Sequence, residues 1–158
     1  MKAPSGFGLD RARGFPSRLL QNHIGECVVA TADLPEGTLV ERFEGPVVAW
    51  GEVPDDEVVY VISFEPHRWL IPRAPARFIN HSCEPNCMVR PNGDVVTTRP
   101  VSAGAELTIP YDWADAAELA RHPDHYFWDP RWSFDCRCGT PGCRGRIAAY
   151  RPDTNGSR

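Results

Sequence analysis

The chain has 158 residues, a mass of 17.6 kDa, a formal net charge of −4 and 42% hydrophobic residues, a composition typical of one soluble globular domain. The acidic balance argues against general affinity for phosphate backbones, because a duplex-binding protein normally carries a basic face. No apolar run is long enough to span a membrane, and residues 1–20 lack the apolar core of a secretory signal.

The first half of the chain predicts short strands. Residues 1–21 carry Gly, Pro, Ser and Arg without a period and predict a loose N-terminal arm. Four β-rich runs then follow, separated by turns that contain proline or glycine: ECVVAT, TLVERF, PVVAW and VVYVISF. We therefore expect a mostly β domain built from many short strands.

The second half continues with short elements. The segment CMVRPNGDVVTTR predicts a hairpin whose turn is Asn92-Gly93, and AELTIPY predicts a strand that runs to Tyr111. One helix is predicted, in DWADAAELAR, with Asp112 as its cap and Pro123 as its stop.

A compact segment near the C-terminus, CRCGTPGC, has the spacing of a metal site. It places Cys136, Cys138 and Cys143 within eight residues, and Gly139 and Gly142 permit the turns that would aim the sulfur atoms inward. Zinc needs a fourth ligand, for which the residues alone leave four candidates: Cys27, His81, Cys83 and Cys87. Six cysteines are too few for a disulfide scaffold, so a metal site in a reducing compartment is predicted.

The stretch ARFINHSCEPNC has three possible interpretations. Cys83 and Cys87 form a metal pair, Cys83 and His81 form a nucleophile with its base, or the stretch is a loop with another role. The residue types alone do not decide between them.

Three segments in this order resemble one family. RFINHSCEPNC, GAELTIPY and CRCGTPGCRG are similar to segments of SET-domain lysine methyltransferases with a post-SET zinc tail, and GECVVATADLPEGTLVERFEG resembles the opening segment of that family. The resemblance implies a SET domain over residues 22–130, a post-SET segment over 131–150 and a disordered tail over 151–158. It also implies a fold of several small β-sheets with a knot-like crossing that brings residues near 80 and 111 together.

The resemblance implies a ligand set for a structural zinc ion. The cysteine of the Asn-His-Ser-Cys run would join the three tail cysteines, which gives Cys83, Cys136, Cys138 and Cys143. The metal would clamp the tail over the active site and shape the substrate channel. Cys87 is then expected to be a buried thiol. A nucleophilic role for Cys83 is disfavoured because a thiolate that coordinates zinc is not available to attack a substrate.

The resemblance further implies S-adenosylmethionine as cofactor and Tyr111 as the catalytic residue. The positions expected to bind the cofactor are Gly25, Cys27, Tyr60, Arg77, Asn80 and His81. Without the resemblance, Tyr60 would be a core aromatic residue and Arg77 a surface charge.

Two positions bear on affinity and product. Cys27 stands where the family usually has the second glycine of a Gly-x-Gly, so its side chain would crowd the cofactor or require a positive φ. Ile109 stands where the family usually has Phe or Tyr, and isoleucine cannot hold the water that a tyrosine hydroxyl would hold. This predicts room for di- or trimethylation.

The resemblance implies methyl transfer to the side-chain amine of lysine in a protein, histone-like or otherwise basic. Direct binding of nucleic acid or membrane is not expected. The expected location is the cytoplasm in a bacterium or the nucleus in a eukaryote. Two alternatives remain: a SET-like binding module without turnover, and a protein whose zinc knot mediates an interaction.

Overall fold

The computed structural model describes residues 14–23, 25–65, 68–111 and 134–147. These residues fall into two compact units. The first unit contains the described residues up to Glu44 together with Pro72–Pro110, and the second contains Gly45–Ile71 and the described residues from Tyr111 onward. None of the helices in this described part is long and apolar enough to span a membrane.

The described strands are all short. In chain order they are β1 (Ser17–Gln21), β2 (Glu26–Ala30), β3 (Leu39–Arg42), β4 (Val47–Val48), β5 (Ile62–Glu65), β6 (Arg68–Leu70), β7 (Asn80–His81), β8 (Cys87–Val89), β9 (Asp94–Thr97), β10 (Thr108–Ile109), β11 (Phe134–Asp135) and β12 (Arg146–Ile147). Two 3₁₀ helices span Trp50–Glu52 and Ala76–Phe78. The prediction of a mostly β fold made of small sheets is confirmed.

The first unit contains three sheets. Strand β1 pairs with β2, β9 lies between β3 and β8, and β7 pairs with β10. All four residues of β9, Asp94–Thr97, are buried, as expected of a central strand flanked on both sides. A buried carboxylate connects two of these sheets, because Glu41 on β3 accepts a hydrogen bond from the Ser17 hydroxyl of β1 at 3.2 Å.

The predicted hairpin is confirmed, and its turn explains the glycine. Gly93 has φ 88°, and a Cβ at this position would lie 2.8 Å from the carbonyl oxygen of Phe43. Only glycine satisfies both constraints. Beside the turn, Asp94 accepts hydrogen bonds from the Arg42 guanidinium and the Asn92 amide, and these bonds lower the pKa of its carboxyl group.

The predicted loose arm over residues 1–21 is corrected at its end. Ser17–Gln21 form β1, which pairs antiparallel with β2 in register from Ser17↔Ala30 to Gln21↔Glu26. A tight turn from Asn22 to Gly25 joins the two strands, and the Asn22 backbone N–H donates to the Gly25 carbonyl at 2.8 Å. The pairing with β2 orders a segment whose own sequence has no strand period.

The second unit has its own sheet, in the order β4-β6-β5, and a small apolar core. Val58, Val61 and Trp69 are buried in this core, and the Trp50 ring packs edge to face on Trp69 at 5.4 Å between centroids. Such an aromatic pair adds about 1 kcal/mol beyond the area that it buries.

The predicted strand VVYVISF begins later than expected. Strand β5 starts at Ile62, whereas the residues before it form a turn in which Glu57 N–H donates to Pro54 and Tyr60 N–H donates to Glu57. These residues therefore form turn hydrogen bonds, from the N–H of residue i+3 to the carbonyl of residue i, instead of pairing with a neighbouring strand. Proline favours the start of a turn, which explains why the segment after Pro54 is not a strand. The predicted helix over residues 112–121 and the predicted tail over 151–158 lie outside the described residues.

Candidate active site and metal centre

The candidate site of the first unit is assembled where two distant segments pair. Strands β7 and β10 run parallel, with Asn80 opposite Thr108 and His81 opposite Ile109. The Ser82 backbone N–H extends the pairing by donating to the Ile109 carbonyl at 3.2 Å. This pairing is the part of the predicted crossing that the described residues show, and Tyr111 follows β10 by two positions.

Sequence reasoning missed the residue that holds this arrangement in place, Asn86. Its side-chain amide donates to the Glu106 carbonyl at 2.8 Å and accepts from the Thr108 N–H at 2.9 Å. The opposite edge of residues 105–107 bonds to β2. There the Ala30 N–H donates to the Ala105 carbonyl, and the Leu107 N–H donates to the Val28 carbonyl. The Asn86 amide therefore imitates a neighbouring strand and satisfies both backbone groups that β2 leaves unpaired.

The side chain of Asn80 joins the candidate site to the start of β2. Its Nδ2 donates to the Glu26 carbonyl at 3.0 Å and to Oε1 of Glu106 at 2.9 Å. Glu106 is a second residue that sequence reasoning missed. Its position in the Glu-Leu-Thr run before Tyr111 was the available signal, but only the fold shows that it lies against Asn80.

Of the two positions where the family usually has a Gly-x-Gly, Gly25 has a glycine-type backbone and Cys27 does not. Gly25 has φ 142°, which favours glycine, and a Cβ there would meet no atom within 4 Å. Cys27 lies inside β2, opposite Leu20, so its backbone is extended and needs no positive φ. The Cys27 side chain is 1% exposed and packs into the core of the first unit.

The environment of Cys27 keeps its thiol protonated. Burial raises the pKa of Cys27, the charge of Glu106 raises it further, and Arg18 acts weakly in the opposite direction. A neutral thiol buried in a strand behaves as a small apolar side chain.

The remaining predicted site residues lie in both units. Ile109 is buried on β10, Arg77 is half-buried on the second 3₁₀ helix with its guanidinium 5.5 Å from the Phe78 ring, and His81 is buried on β7. Tyr60 and Tyr111 belong to the second unit, and both are half-buried.

The cysteine-rich tail is a hairpin closed by β11 and β12, which pair Phe134 with Ile147 and Asp135 with Arg146. Cys136 N–H donates to the Gly145 carbonyl at 3.0 Å, which continues the pairing into the loop. Gly139 and Gly145 have φ of 71° and 78°. The predicted turn at Gly142 is present, although that residue needs no positive φ.

Four thiols converge on a candidate metal centre. The Sγ atoms of Cys83, Cys136, Cys138 and Cys143 all lie within 4.8 Å of one another. Sulfur atoms bound to one tetrahedral zinc at about 2.3 Å lie roughly 3.8 Å apart, so this set needs only a small contraction to hold the ion. The four-cysteine cluster therefore fits zinc, as predicted.

The other three candidates for the fourth ligand, Cys27, His81 and Cys87, do not belong to this cluster of four sulfur atoms. Cys87 on β8 is 1% exposed and pairs with Thr97, and burial raises the pKa of its thiol to about 11. Cys27 is equally buried. His81 Nε2 lies 3.4 Å from the Cys83 sulfur, within hydrogen-bonding range of a ligand, and such contacts commonly orient the ligands of a metal site.

The segments that form the candidate site also match a known protein family. The sequence profile described as "SET domain" matches residues 25–112. This chain belongs to the SET-domain family. The matched range contains the Gly25 turn, the Asn80-His81 strand and β10, so the predicted resemblance is confirmed.

Several curated relatives of this SET domain are named histone-lysine N-methyltransferases. It is 30% identical over 146 residues to EHMT1 of Homo sapiens, covering 80% of this chain and 10% of that protein. It is 36% identical over 78 residues to ash1 of Drosophila melanogaster, covering 45% of this chain and 3% of that protein. The SET domain thus corresponds to a small part of these relatives.

Solved structures show the same fold. KRYPTONITE in complex with mCHH DNA, an H3(1-15) peptide and SAH matches with a TM-score of 0.60 and 26% identity, covering 86% of this chain and 30% of that one. A protein from Plasmodium falciparum matches with a TM-score of 0.54 and 17% identity, covering 64% of this chain and 96% of that one. The predicted SET fold is therefore confirmed.

Proposed function

We propose that this SET domain transfers a methyl group from S-adenosylmethionine to the side-chain amine of lysine in a basic protein. The observation that carries the proposal is the parallel pairing of Asn80-His81 with Thr108-Ile109, which leads directly to Tyr111. A domain that only bound a partner would not need this set of polar residues together. The names of the curated relatives support the same reaction class.

The residues present fit the cofactor. Gly25 offers open space beside a backbone that a side chain would strain. Asn80 and Glu106 place an amide and a carboxylate next to that segment, which suits the protonated amino group of S-adenosylmethionine. Cys27 is turned into the core, so we infer that it does not crowd the cofactor.

When bound, S-adenosylmethionine supplies the activated methyl group. The protein contributes alignment and desolvation, and the amine of lysine must arrive neutral with its lone pair directed at the methyl carbon. We assign Tyr111 the orientation of that amine through its hydroxyl group. A phenol titrates near pH 10 in water, so proton removal is assigned to solvent rather than to Tyr111.

We assign the four-cysteine cluster a structural role. Zinc bound by Cys83, Cys136, Cys138 and Cys143 has no open position for chemistry. The ion would hold the tail hairpin in place, and the tail would help to shape the substrate channel.

The substrate is proposed to be a histone-like or other basic protein. The net charge of −4 favours a basic partner and disfavours direct contact with a phosphate backbone. The KRYPTONITE structure contains both a histone peptide and DNA, and a gel-shift titration of this chain with duplex DNA tests whether the two proteins differ in this respect. The proposed location follows the substrate: the cytoplasm of a bacterium or the nucleus of a eukaryote.

The experiment is calorimetric titration of the zinc-loaded chain with S-adenosylmethionine, followed by methyl transfer to a panel of basic proteins. We expect binding in the micromolar range, and Tyr111→Phe should lower transfer about 100-fold or more while cofactor binding and the melting temperature stay unchanged. Absence of cofactor binding by the folded, zinc-loaded chain would refute the proposed function. Binding without transfer to any protein of the panel would instead support a SET-like binding module.

A further inference from the structure

Glu106 and Asn80 form a hydrogen-bonded pair that determines what the amide can bind. Asn80 Nδ2 carries two hydrogens, and it lies 3.0 Å from the Glu26 carbonyl and 2.9 Å from Glu106 Oε1. Both neighbours are acceptors, so the nitrogen must face them. Both donors of the Asn80 amide are thereby used inside the protein.

The orientation of the amide leaves its oxygen as the free group. Among the residues that the structure describes, no donor bonds Asn80 Oδ1, and Asn80 is only half-buried. What Asn80 offers to a ligand is therefore an acceptor. A ligand group that binds there must donate a hydrogen.

The charge of Glu106 adds a second requirement. Its carboxylate lies behind the amide, close enough to Cys27 to raise the pKa of that thiol in addition to the larger effect of burial. A cationic donor such as a protonated amine gains from this carboxylate, whereas an anionic group is repelled.

We propose that Glu106 is a positioning residue that fixes the Asn80 amide with its oxygen outward and thereby selects the protonated α-amino group of the cofactor. This inference rests on the proposed function, because it assumes that S-adenosylmethionine binds beside Asn80. It adds a residue and a chemical reason for recognition of the amino group.

The test compares three ligands by calorimetry on the zinc-loaded chain: S-adenosylmethionine, S-adenosylhomocysteine and 5′-methylthioadenosine, which lacks the amino-acid part. Glu106→Ala should weaken binding of the first two about tenfold and leave methylthioadenosine unaffected. Glu106→Gln keeps an acceptor without the charge, so its effect should be intermediate. Glu36→Ala is the matched control, because Glu36 is exposed in the same unit.

A double-mutant cycle with Asn80→Ala gives the second readout. If Glu106 acts through Asn80, Glu106→Ala should cost little further affinity once Asn80 is removed. Equal loss for all three ligands would show a merely structural role, and full additivity with Asn80→Ala would show that Glu106 does not act through Asn80. Either result would overturn the inference. Should Glu106→Ala not fold, Glu106→Gln carries both comparisons.

The two proposals fail in different ways. A wild-type chain that binds none of the three ligands refutes the proposed function and this inference together. A wild-type chain that binds S-adenosylmethionine, with Glu106→Ala and Glu106→Gln binding it equally well, refutes only the role of Glu106.

Discussion

Position 27 shows how a single residue can depart from a family pattern without changing the fold. Sequence reasoning expected Cys27 either to crowd the cofactor or to need a positive φ. The structure places it within β2 with 1% of its surface exposed. Of the two positions in question, only Gly25 has the backbone that requires glycine.

Ile109 carries the prediction on product. Its buried aliphatic side chain offers no hydrogen-bonding group, so a water that would block a second methyl group has no partner there. We expect the wild-type chain to accumulate di- or trimethylated lysine and Ile109→Tyr to accumulate mostly monomethylated lysine. Mass spectrometry of a methylated substrate over time measures the distribution.

Ile109→Phe is the control for the size of the ring, because it lacks the hydroxyl group of tyrosine. A wild-type chain that stops at monomethylation, together with unchanged products for Ile109→Tyr, would contradict this role for Ile109.

Residue-level prediction succeeded where the chemistry was local and failed where it depended on distant partners. The cysteine spacing predicted the tail ligands because all three lie within one turn-rich segment. Glu106 and Asn86 escaped notice because their partners are about 20 or more residues away. An amide or a carboxylate in a polar loop has no local signal for such a bond.

At the scale of elements, the Asn86 side chain takes the place of a strand. Its amide meets the 106–108 backbone on the edge opposite β2, with one donated and one accepted hydrogen bond. Strand β10 has only two residues, so much of its position depends on this amide.

Replacement of Asn86 should therefore destabilise the chain. We expect Asn86→Ala to lower the free energy of unfolding by about 2 kcal/mol, because two half-buried backbone groups lose their partner. Asn86→Asp should also be destabilising, since a carboxylate cannot donate to the Glu106 carbonyl. Urea unfolding followed by far-ultraviolet circular dichroism, which reports on the backbone of both units, measures the two changes.

Ser102→Ala is the matched control, an exposed polar residue of the same unit. If Asn86→Ala were as stable as this control, the side-chain amide would have no structural role.

Element prediction was accurate for strands with valine-rich cores and for the Asn-Gly hairpin, where local pattern and tertiary structure agree. It was wrong for β1 and for the start of β5. Strand β1 is specified by its partner β2 rather than by its own period. The run before Ile62 is apolar because Val58 and Val61 are buried in a core. Residues of a turn can fill a core as well as residues of a strand, so the apolar run did not distinguish the two.

For the whole molecule, the thiols divide into two classes. All six cysteines are free of disulfides, and two of them, Cys27 and Cys87, are each 1% exposed within strands of the first unit. The other four form the cluster that fits zinc.

Removal of zinc should make the four clustered cysteines reactive and leave the two buried cysteines unreactive. In native conditions at pH 8 a zinc chelator should allow iodoacetamide to modify four cysteines, whereas Cys27 and Cys87 stay unmodified. Burial protects both, and a thiol with a pKa of about 11, as at Cys87, is almost entirely protonated at that pH. Peptide mass spectrometry identifies the sites, and the melting temperature should fall because bound metal stabilises the fold.

Re-addition of zinc before the alkylating reagent should restore protection of the four. Modification of all six cysteines in the chelated chain would show that the first unit does not hold its strands without metal.

The parallel pairing of β7 with β10 has a consequence for the order of folding. It joins residues about 28 positions apart through a ladder of two residues on each side. The chain entropy lost on closing this loop therefore costs more free energy than the hydrogen bonds of the ladder alone contribute. The β8–β9 hairpin lies inside that loop and forms from local contacts. We infer that it folds first and shortens the effective loop, and that the polar centre around Asn80 is among the last parts of the chain to assemble.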